Sequence, residues 1–278
     1  MIVVLRFFWK LAPKGVRERL RTYISMNHSA RHAIGALETR QRQIETILQK
    51  EHGLILPPPR HLQERVDGPY INFIAHGYSL RDELCQHLTE VTGKRLTDFT
   101  TVLDFGCGCG RVTRPVRWML GPSANLDGID IDPEAIAWAS ENYKGIAEFR
   151  VCPAMPPTPF ADATFDFIYG ISVFSHLPED MQFAWLAELR RIAKPGAYLA
   201  LSTHGENHSE WVNEPALRAK GFLYRASGTT AGLPDFYQGA YHTPEYIHRE
   251  WVKYFDVLGI AVRALDDWQD IVFIRRPA

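Results

Sequence analysis

The sequence predicts an α/β fold with a parallel, doubly wound sheet, because strand and helix patterns alternate along its middle. The apolar run TVLDF at 101–105 is followed by a helical pattern at 111–120, and similar pairs recur further along the chain. The last two strand patterns, 255–265 and 270–276, are only a few residues apart. That spacing is too short for a helical crossover, so we expect the final strand to run antiparallel to the others.

Each remaining element is justified by its own pattern. Residues 79–92 have helical periodicity and stop at Gly93, a residue that ends helices readily. A further helix is expected to begin at Asp132, whose side chain can cap it, with Pro133 at the first helical position. The helical pattern at 178–193 is strongly amphipathic. The other strand patterns are LDGID at 126–130, AEFRV at 147–151, FDFIYG at 165–170 and AYLALST at 197–203.

Charge is distributed unevenly along the chain, although the net charge is only −1. Residues 1–50 contain ten Lys and Arg against three acidic residues, whereas the rest of the chain has 21 basic and 29 acidic residues. An acidic main body argues against a nucleic-acid partner. Four cysteines are too few for a disulfide scaffold and favour a reducing cytoplasm.

The opening residues 1–21 combine apolar and aromatic side chains with several basic ones, and Arg6 breaks their apolar run. A bilayer span needs about 20 apolar residues, and a signal peptide needs a small-residue cleavage site, so neither is expected. We favour a helix packed on the body of the protein or on a second subunit, as in a homodimer. The alternative is an interfacial helix lying on the inner face of an anionic membrane.

The pattern also suggests a division into domains. Residues 30–50 place apolar side chains near helical spacing, and the run LPPPR at 56–60 then predicts an extended linker. We therefore predict a helical N-terminal extension at 1–65 and a main domain at 66–278. A Gly- and aromatic-rich stretch at about 205–250 interrupts the alternation and predicts a lid-like insertion.

The run VLDFGCGCGR at 102–111 follows a strand and precedes a helix, which is where open α/β sheets bind ligands. A dinucleotide loop needs a third glycine where Arg111 stands, and a phosphate-binding P-loop needs a lysine after Gly110. Zinc sites use cysteine pairs at a wider spacing than that of Cys107 and Cys109, so we expect no metal. These residues argue against phosphate and metal ligands alike.

The pattern Asp-x-Gly-x-Gly-x-Gly at 104–110 resembles the cofactor loop of class I S-adenosylmethionine-dependent methyltransferases. The resemblance continues in the family's order and spacing through residues 128–139, 160–177 and 188–203. It implies a Rossmann-like, mostly parallel seven-stranded sheet with an antiparallel last strand, and S-adenosyl-L-methionine as the cofactor. The C-terminal stretch is also similar to bacterial methyltransferases associated with glycan biosynthesis.

The resemblance implies roles for several residues. An acidic Asp104 suits the cofactor's ammonium group, Asp130 is expected to bind the ribose hydroxyls, and Ile131 to pack on adenine. The family commonly has an acidic residue where this chain has Ala154, so adenine recognition is expected to fall to backbone groups near Ala154 and Met155. The implied cofactor-binding set is Asp104, Gly106, Cys107, Gly108, Gly110, Arg111, Asp130, Ile131, Ala154, Met155 and Tyr169.

Candidate catalytic residues are expected at the carboxyl ends of the strands. Methyl transfer needs alignment of the reactants and, for an alcohol acceptor, a group that takes up a proton. His176 is the first candidate for this base, because the family places substrate-facing residues after the fourth strand and histidine titrates near neutrality. His204, at the end of the fifth strand, and His242, in the insertion, are the other candidates.

The function implied by the resemblance is an S-adenosylmethionine-dependent O-methyltransferase, with a sugar or glycan hydroxyl as the preferred acceptor. A lipid or another small-molecule natural product is the alternative acceptor. A non-catalytic S-adenosylmethionine-binding scaffold is a third reading, against which the intact Asp104, glycine loop and Asp130 argue. A nicotinamide oxidoreductase is disfavoured by the glycine spacing.

Overall fold

The computed structural model describes residues 57–67, 72–205, 214–226 and 232–278. The chain divides into two units, Met1–Leu56 and Pro57–Ala278, and every described residue belongs to the second unit. The predicted features at 1–21 and 30–50 lie outside the described residues. Helix α1 (Arg60–Asp67) spans the predicted boundary at residue 65, so the domain limits stay a prediction.

A mixed sheet forms the centre of the second unit and confirms the predicted fold. Its main strands lie in the order β3-β2-β1-β4-β5-β9-β8. The strands from β1 to β5 are parallel, whereas β9 is antiparallel to both of its neighbours, as the short spacing at the C-terminus predicts. Their bounds are β1 Thr101–Phe105, β2 Asn125–Asp130, β3 Glu148–Val151, β4 Phe165–Gly170, β5 Ala193–Gly205, β8 Asp256–Leu265 and β9 Gln269–Arg275.

Helices cover both faces of this sheet. Asp132 caps one of them as predicted, because its Oδ1 accepts hydrogen bonds from the backbone N–H groups of Glu134 and Ala135. Among the described residues, no helix is both long and apolar enough to cross a membrane. The helices are α2 Phe73–Thr92, α3 Thr113–Arg117, α4 Pro133–Asn142, α5 Glu179–Ile192, α6 Pro215–Lys220 and α7 Pro244–Glu250, with short 3₁₀ turns at Leu96–Asp98 and Trp251–Lys253.

The core lies in two apolar layers, one on each face of the sheet. Successive side chains of a strand point to opposite faces, so Phe167 of β4 packs in the layer that contains Leu84 of α2. Its neighbour Ile168 packs in the other layer, with Leu186 and Leu189 of α5. Burial on both faces explains why β4 is apolar at successive positions after Asp166, which lies partly exposed near its start.

The insertion extends the sheet at the end of β5. Strand β7 (Gly239–His242) pairs in parallel with β5, aligning Tyr241 with His204. Strand β6 (Phe222–Arg225) pairs antiparallel with β7 and completes a nine-stranded sheet. This hairpin places a second group of aromatic side chains at the rim where β5 ends.

Candidate active site

The loop after β1 approaches its surroundings closely enough to require glycine. Gly106, Gly108 and Gly110 all have positive φ angles, of 78°, 52° and 83°. A Cβ atom on Gly110 would lie 2.5 Å from Cε2 of Tyr143, so a larger residue would both strain the backbone and clash. Gly106 and Gly108 line one wall of a cavity over the strand ends, whereas Gly110, also predicted to bind the cofactor, packs on Tyr143 and does not line it.

This cavity has an empty volume of about 1010 Å³ and opens to solvent at the carboxyl ends of β1, β2 and β4. The predicted residues Asp104, Gly106, Cys107, Gly108, Arg111, Asp130, Ile131 and Ala154 line it together. The walls also include apolar side chains that the sequence did not single out, among them Val173, Trp185 and Phe236. The cavity thus combines two carboxylates and one guanidinium with a largely apolar enclosure.

Asp104 is a buried carboxylate at the end of β1. Its Oδ2 accepts hydrogen bonds from Oγ1 of Thr113, at 2.6 Å, and from the hydroxyl of Tyr169, at 2.8 Å. Burial raises the pKa of Asp104 to about 7, against the lowering effect of these two hydrogen bonds, and the nearby charge of Asp130 raises it further. A cationic ligand group would favour the ionised form, so Asp104 is suited to bind one.

Tyr169 lies behind Asp104 and is fully buried. It is absent from the residues that line the cavity, and its hydroxyl is directed to the carboxylate. Tyr169 was expected to contact the cofactor. Asp104 instead separates it from the cavity, and the Tyr169 hydroxyl orients the Asp104 carboxylate.

Asp130 ends β2 on the same rim. Its Oδ2 accepts from the backbone N–H of Gly108 at 2.7 Å, and its Oδ1 accepts from that of Asp132 at 2.9 Å. Burial raises the pKa of Asp130, and these backbone hydrogen bonds oppose the shift. A carboxylate offers about four lone-pair sites, so two bonds of this kind leave capacity for ligand hydroxyls.

The predicted adenine side of the cavity is only partly formed by the residues named from sequence. Ala154 lines the cavity, and its carbonyl oxygen already accepts from Nε1 of Trp185 at 3.1 Å. Met155 is 45% exposed and does not line the cavity. Cys152, buried beside Ala154, contributes apolar surface there.

Helix α1 contributes Leu62, Arg65 and Val66 to the cavity wall. Arg65 bridges two acids at the start of α4: Nη1 lies 2.6 Å from Oδ2 of Asp132, and Nη2 lies 2.7 Å from Oε2 of Glu134. No sequence pattern marks this contact, because the partners of Arg65 are 67 and 69 residues away along the chain. We refer to α1, which these two ion pairs hold against the start of α4, as the roof helix.

Arg111, immediately after the glycine loop, is buried and lines the cavity. Asp104 and Arg111 both line the cavity, and the positive charge of Arg111 lowers the pKa of Asp104. Nη1 of Arg111 lies 3.4 Å from Nδ1 of His76 on α2. The cavity therefore presents the cationic Arg111 and the anionic Asp104, which match the carboxylate and the ammonium group of a zwitterionic ligand.

His176 lies next to the cavity through Tyr237, which is one of the lining residues. The two rings stack with centroids 4.1 Å apart. Nδ1 of His176 is 3.0 Å from the carbonyl oxygen of Gln238, and a carbonyl only accepts, so Nδ1 carries the proton. Burial lowers the pKa of His176 to about 4, so at neutral pH the ring is neutral with a lone pair on Nε2.

The other two candidate histidines have different surroundings. His204 lies beside His176, with ring centroids 5.5 Å apart. His242 is almost fully buried, and its Nε2 lies 2.8 Å from Oε1 of Gln182. Burial lowers the pKa of His242 to about 3. The structure therefore brings His176 and His204 together and leaves His242 in the core.

A strained residue supports the rim between these groups. Ser172 follows β4 and has a φ of 61°, an uncommon value for a residue with a side chain. Its backbone N–H donates to Oγ of Ser202 at 2.7 Å, and its carbonyl accepts from the hydroxyl of Tyr237 at 3.0 Å. Gln269 of β9 bonds to both serine hydroxyls. These hydrogen bonds stabilise the unusual conformation of Ser172. The bond to its carbonyl also fixes the position of Tyr237.

The residues of the cavity fit S-adenosylmethionine. The cofactor carries an ammonium group, a carboxylate, a ribose diol and an apolar adenine, and it has no phosphate. Asp104, Arg111 and Asp130 match the first three of these, and the apolar wall around Ile131 matches the fourth. Within the described part of the chain, no group of three or more His, Cys, Asp or Glu side chains is arranged to hold a metal ion.

Comparison with known proteins agrees with this fit. Residues 102–196 match a family model described as "Methyltransferase domain". The chain is 36% identical over 115 residues to 2-methyl-6-phytyl-1,4-hydroquinone methyltransferase of Synechocystis sp., an alignment that covers 41% of this chain and 35% of that protein. It is 30% identical over 102 residues to malonyl-[acyl-carrier protein] O-methyltransferase of Hahella chejuensis, covering 37% of this chain and 36% of that protein.

The chain thus spans about a third of the length of these two relatives. The structure is also similar to that of an S-adenosylmethionine-dependent methyltransferase from Clostridium acetobutylicum, with a TM-score of 0.54 and 10% identity, covering 78% of this chain and 97% of that one. At that identity the likeness shows the fold alone. Residues 102–196 thus match a methyltransferase domain, and the cavity beside them fits S-adenosylmethionine as the cofactor.

Proposed function

We propose that the whole protein is an O-methyltransferase that acts on a hydroxyl group of a small molecule. The observation that carries the proposal is the placement of His176, with its neutral ring, directly behind Tyr237 at the cavity wall. S-adenosylmethionine supplies an electrophilic methyl group when it is bound. The protein then has to hold the acceptor in line and take up its proton.

The roles of the side chains follow from their surroundings. Asp104 binds the ammonium group, Asp130 the ribose hydroxyls, and the roof helix keeps water from the cavity. His176 accepts the acceptor's proton at Nε2, because Nδ1 is held in its protonated form by the carbonyl of Gln238. His204 is buried next to it, outside the residues that line the cavity, and positions the ring of His176.

The finer proposal is that the acceptor is a sugar hydroxyl, alone or in a glycan. Trp268 is 52% exposed and its ring lies edge-on to His204, 6.3 Å away. His204 in turn stacks on Tyr241, with centroids 5.1 Å apart. His204 and Tyr241 are buried, so the exposed indole of Trp268 offers the flat apolar surface that suits the apolar face of a sugar ring. The names of the two relatives mention a hydroquinone and a malonyl-[acyl-carrier protein], so these classes are the alternatives.

Transfer of a labelled methyl group to defined acceptors tests the proposal. The panel contains free sugars and oligosaccharides, hydroquinones and other phenols, and carboxylic acids. Label on a sugar oxygen supports the finer proposal, and label on a phenol supports O-methylation with another acceptor class. Label on carboxylates alone, or binding of S-adenosylhomocysteine with no transfer to any class, contradicts the proposal.

For residues 1–21, which lie outside the described part of the chain, we propose packing on the protein or on a second copy in the cytoplasm. Flotation with vesicles of 30% anionic lipid compares the full chain with one lacking residues 1–27. Flotation of the full chain alone contradicts the proposal and favours contact with a membrane surface.

A further inference from the structure

Three groups from separate parts of the chain form a line that ends at the cavity. They are Arg111 after the glycine loop, His76 on α2, and Asp266 in the turn between β8 and β9. Nη1 of Arg111 lies 3.4 Å from Nδ1 of His76, and Nε2 of His76 is hydrogen-bonded to Oδ2 of Asp266. The mechanism described above uses neither His76 nor Asp266.

The line of hydrogen bonds has a fixed direction. A guanidinium donates and never accepts, so Nδ1 of His76 must be the acceptor for Arg111. The proton of the neutral ring is then on Nε2, which donates to the carboxylate of Asp266. Asp266 thereby selects the tautomer of His76 whose Nδ1 can accept a hydrogen bond from Arg111.

Backbone contacts fix the positions of these three groups relative to one another. A Cβ atom on Gly77 would lie 2.2 Å from the carbonyl oxygen of Arg111, so α2 packs directly on the backbone of Arg111. The N–H of Asp266 donates to Oε2 of Glu83, also on α2, at 3.2 Å. Asp266 has a φ of 53°, an uncommon conformation that these contacts stabilise. Helix α2 therefore presents His76 to both partners at once.

We infer that His76, anchored by Asp266, is a positioning residue that orients Arg111 to bind the carboxylate of the cofactor's amino-acid moiety. Arg111 and Asp104 face the same space, so one receives the carboxylate while the other receives the ammonium group. Without His76, the guanidinium keeps its charge but loses the hydrogen bond that directs Nη1. The inference rests on the proposed role of Arg111 in the cofactor site.

Two ligands that differ only in the carboxylate test the inference. These are S-adenosylhomocysteine and its decarboxylated analogue, which keeps the ammonium group, and calorimetry measures the affinity of each. His76→Ala is expected to weaken S-adenosylhomocysteine about tenfold and the analogue less than twofold, since one charge-assisted contact is at stake. His76→Asn, whose Oδ1 replaces Nδ1 as an acceptor, is expected to restore most of the affinity. Asp266→Ala is expected to fall between wild type and His76→Ala.

His87 provides a matched control on the same helix. It is also paired with a carboxylate, because its Nδ1 lies 2.9 Å from Oε2 of Glu90, but it does not line the cavity. His87→Ala is expected to bind both ligands as the wild type does. Thermal unfolding of each variant without ligand checks that the fold is retained.

Other outcomes overturn specific parts of the argument. Equal loss of both ligands in His76→Ala means that the residue is merely structural, and no loss of either means that it does not position Arg111. If Arg111→Ala loses both ligands equally, the assignment of Arg111 to the carboxylate is wrong and the inference falls with it. If the wild-type protein binds neither ligand, the proposed function itself fails.

Discussion

The hydroxyl of Tyr169 donates a hydrogen bond of 2.8 Å to Oδ2 of Asp104, on the neighbouring strand of the sheet. Thr113 donates to the same oxygen. Both donors are fully buried, so the carboxylate is fixed in direction while its pKa stays high, at about 7. This combination makes the charge of Asp104 responsive to the ligand.

Asp104→Asn is expected to weaken S-adenosylhomocysteine binding by tenfold or more, because it removes the negative charge that faces the ammonium group. The amide oxygen can still accept from Tyr169 and Thr113, so the fold is retained. Calorimetry gives the affinity and circular dichroism the thermal midpoint. Unchanged affinity in a folded variant would show that the ammonium group binds elsewhere.

The raised pKa of Asp104 gives the stability of the wild-type protein a definite pH dependence. The folded-state pKa of Asp104 lies above the unfolded value, so the wild type loses stability as pH rises from about 4 to about 7. Asp104→Asn lacks this loss, and we expect its free energy of unfolding to exceed that of the wild type at pH 8 but not at pH 4. Urea titrations at both pH values measure the difference. A parallel pH dependence in the two proteins contradicts the raised pKa.

Affinity for the cationic cofactor is expected to rise with pH in the range where Asp104 ionises. Below pH 7 the carboxyl must release a proton on binding, so affinity should fall by up to about tenfold for each pH unit. Calorimetry in buffers of different ionisation enthalpy counts the released protons. Asp104→Asn is the control, and proton release that persists in it must come from another group.

Arg65→Ala is expected to speed dissociation of S-adenosylhomocysteine by threefold or more and to lower the free energy of unfolding by about 1 kcal/mol, since the ion pairs that hold the roof helix are partly exposed. Stopped-flow fluorescence measures the dissociation rate. Arg60→Ala is the matched control, because Arg60 lies on the same helix and pairs with Glu64 on the surface. Equal effects of the two variants argue against a specific role for Arg65.

His176→Ala is expected to lower kcat at least 100-fold while leaving S-adenosylhomocysteine affinity within twofold, because a general base contributes about that much. In the wild type, kcat at saturating substrates should be lost only as pH falls through about 4, where His176 becomes protonated. His242→Ala serves as a contrast. It should mainly lower the thermal midpoint, because its hydrogen bond to Gln182 is in the core. Loss of kcat in a stable His242→Ala protein would return His242 to the catalytic candidates.

The sequence predicted the strand ends and the acids at them with little error. Observed β1 and β4 have the predicted bounds, because each is a compact apolar run buried on both faces. Asp104 and Asp130 line one cavity because the carboxyl ends of adjacent parallel strands meet at one edge of the sheet. The cap at Asp132 was equally local and equally predictable.

Contacts between distant segments could not be predicted in this way. Arg65 is one of many basic residues near the N-terminus, and nothing in its neighbourhood marks Asp132 as its partner. The pairing of β7 with β5 covers only two residue pairs and leaves no periodic signal in the aromatic stretch around it. Met155 was expected to offer a backbone group to adenine, but it does not line the cavity, and its side chain is exposed.

The short pairing of β7 with β5 limits how the sequence of β7 can change during evolution. Tyr241 is opposite His204 and stacks on it, whereas the next residue, His242, points to the other face and packs edge-on to Trp251. Inserting or deleting one residue in β7 would exchange these two faces and bring His242 into the place of Tyr241 beside His204. Substitutions at Tyr241 keep both faces in place. We therefore expect homologues to vary their acceptors by exchanging side chains at a constant hairpin length.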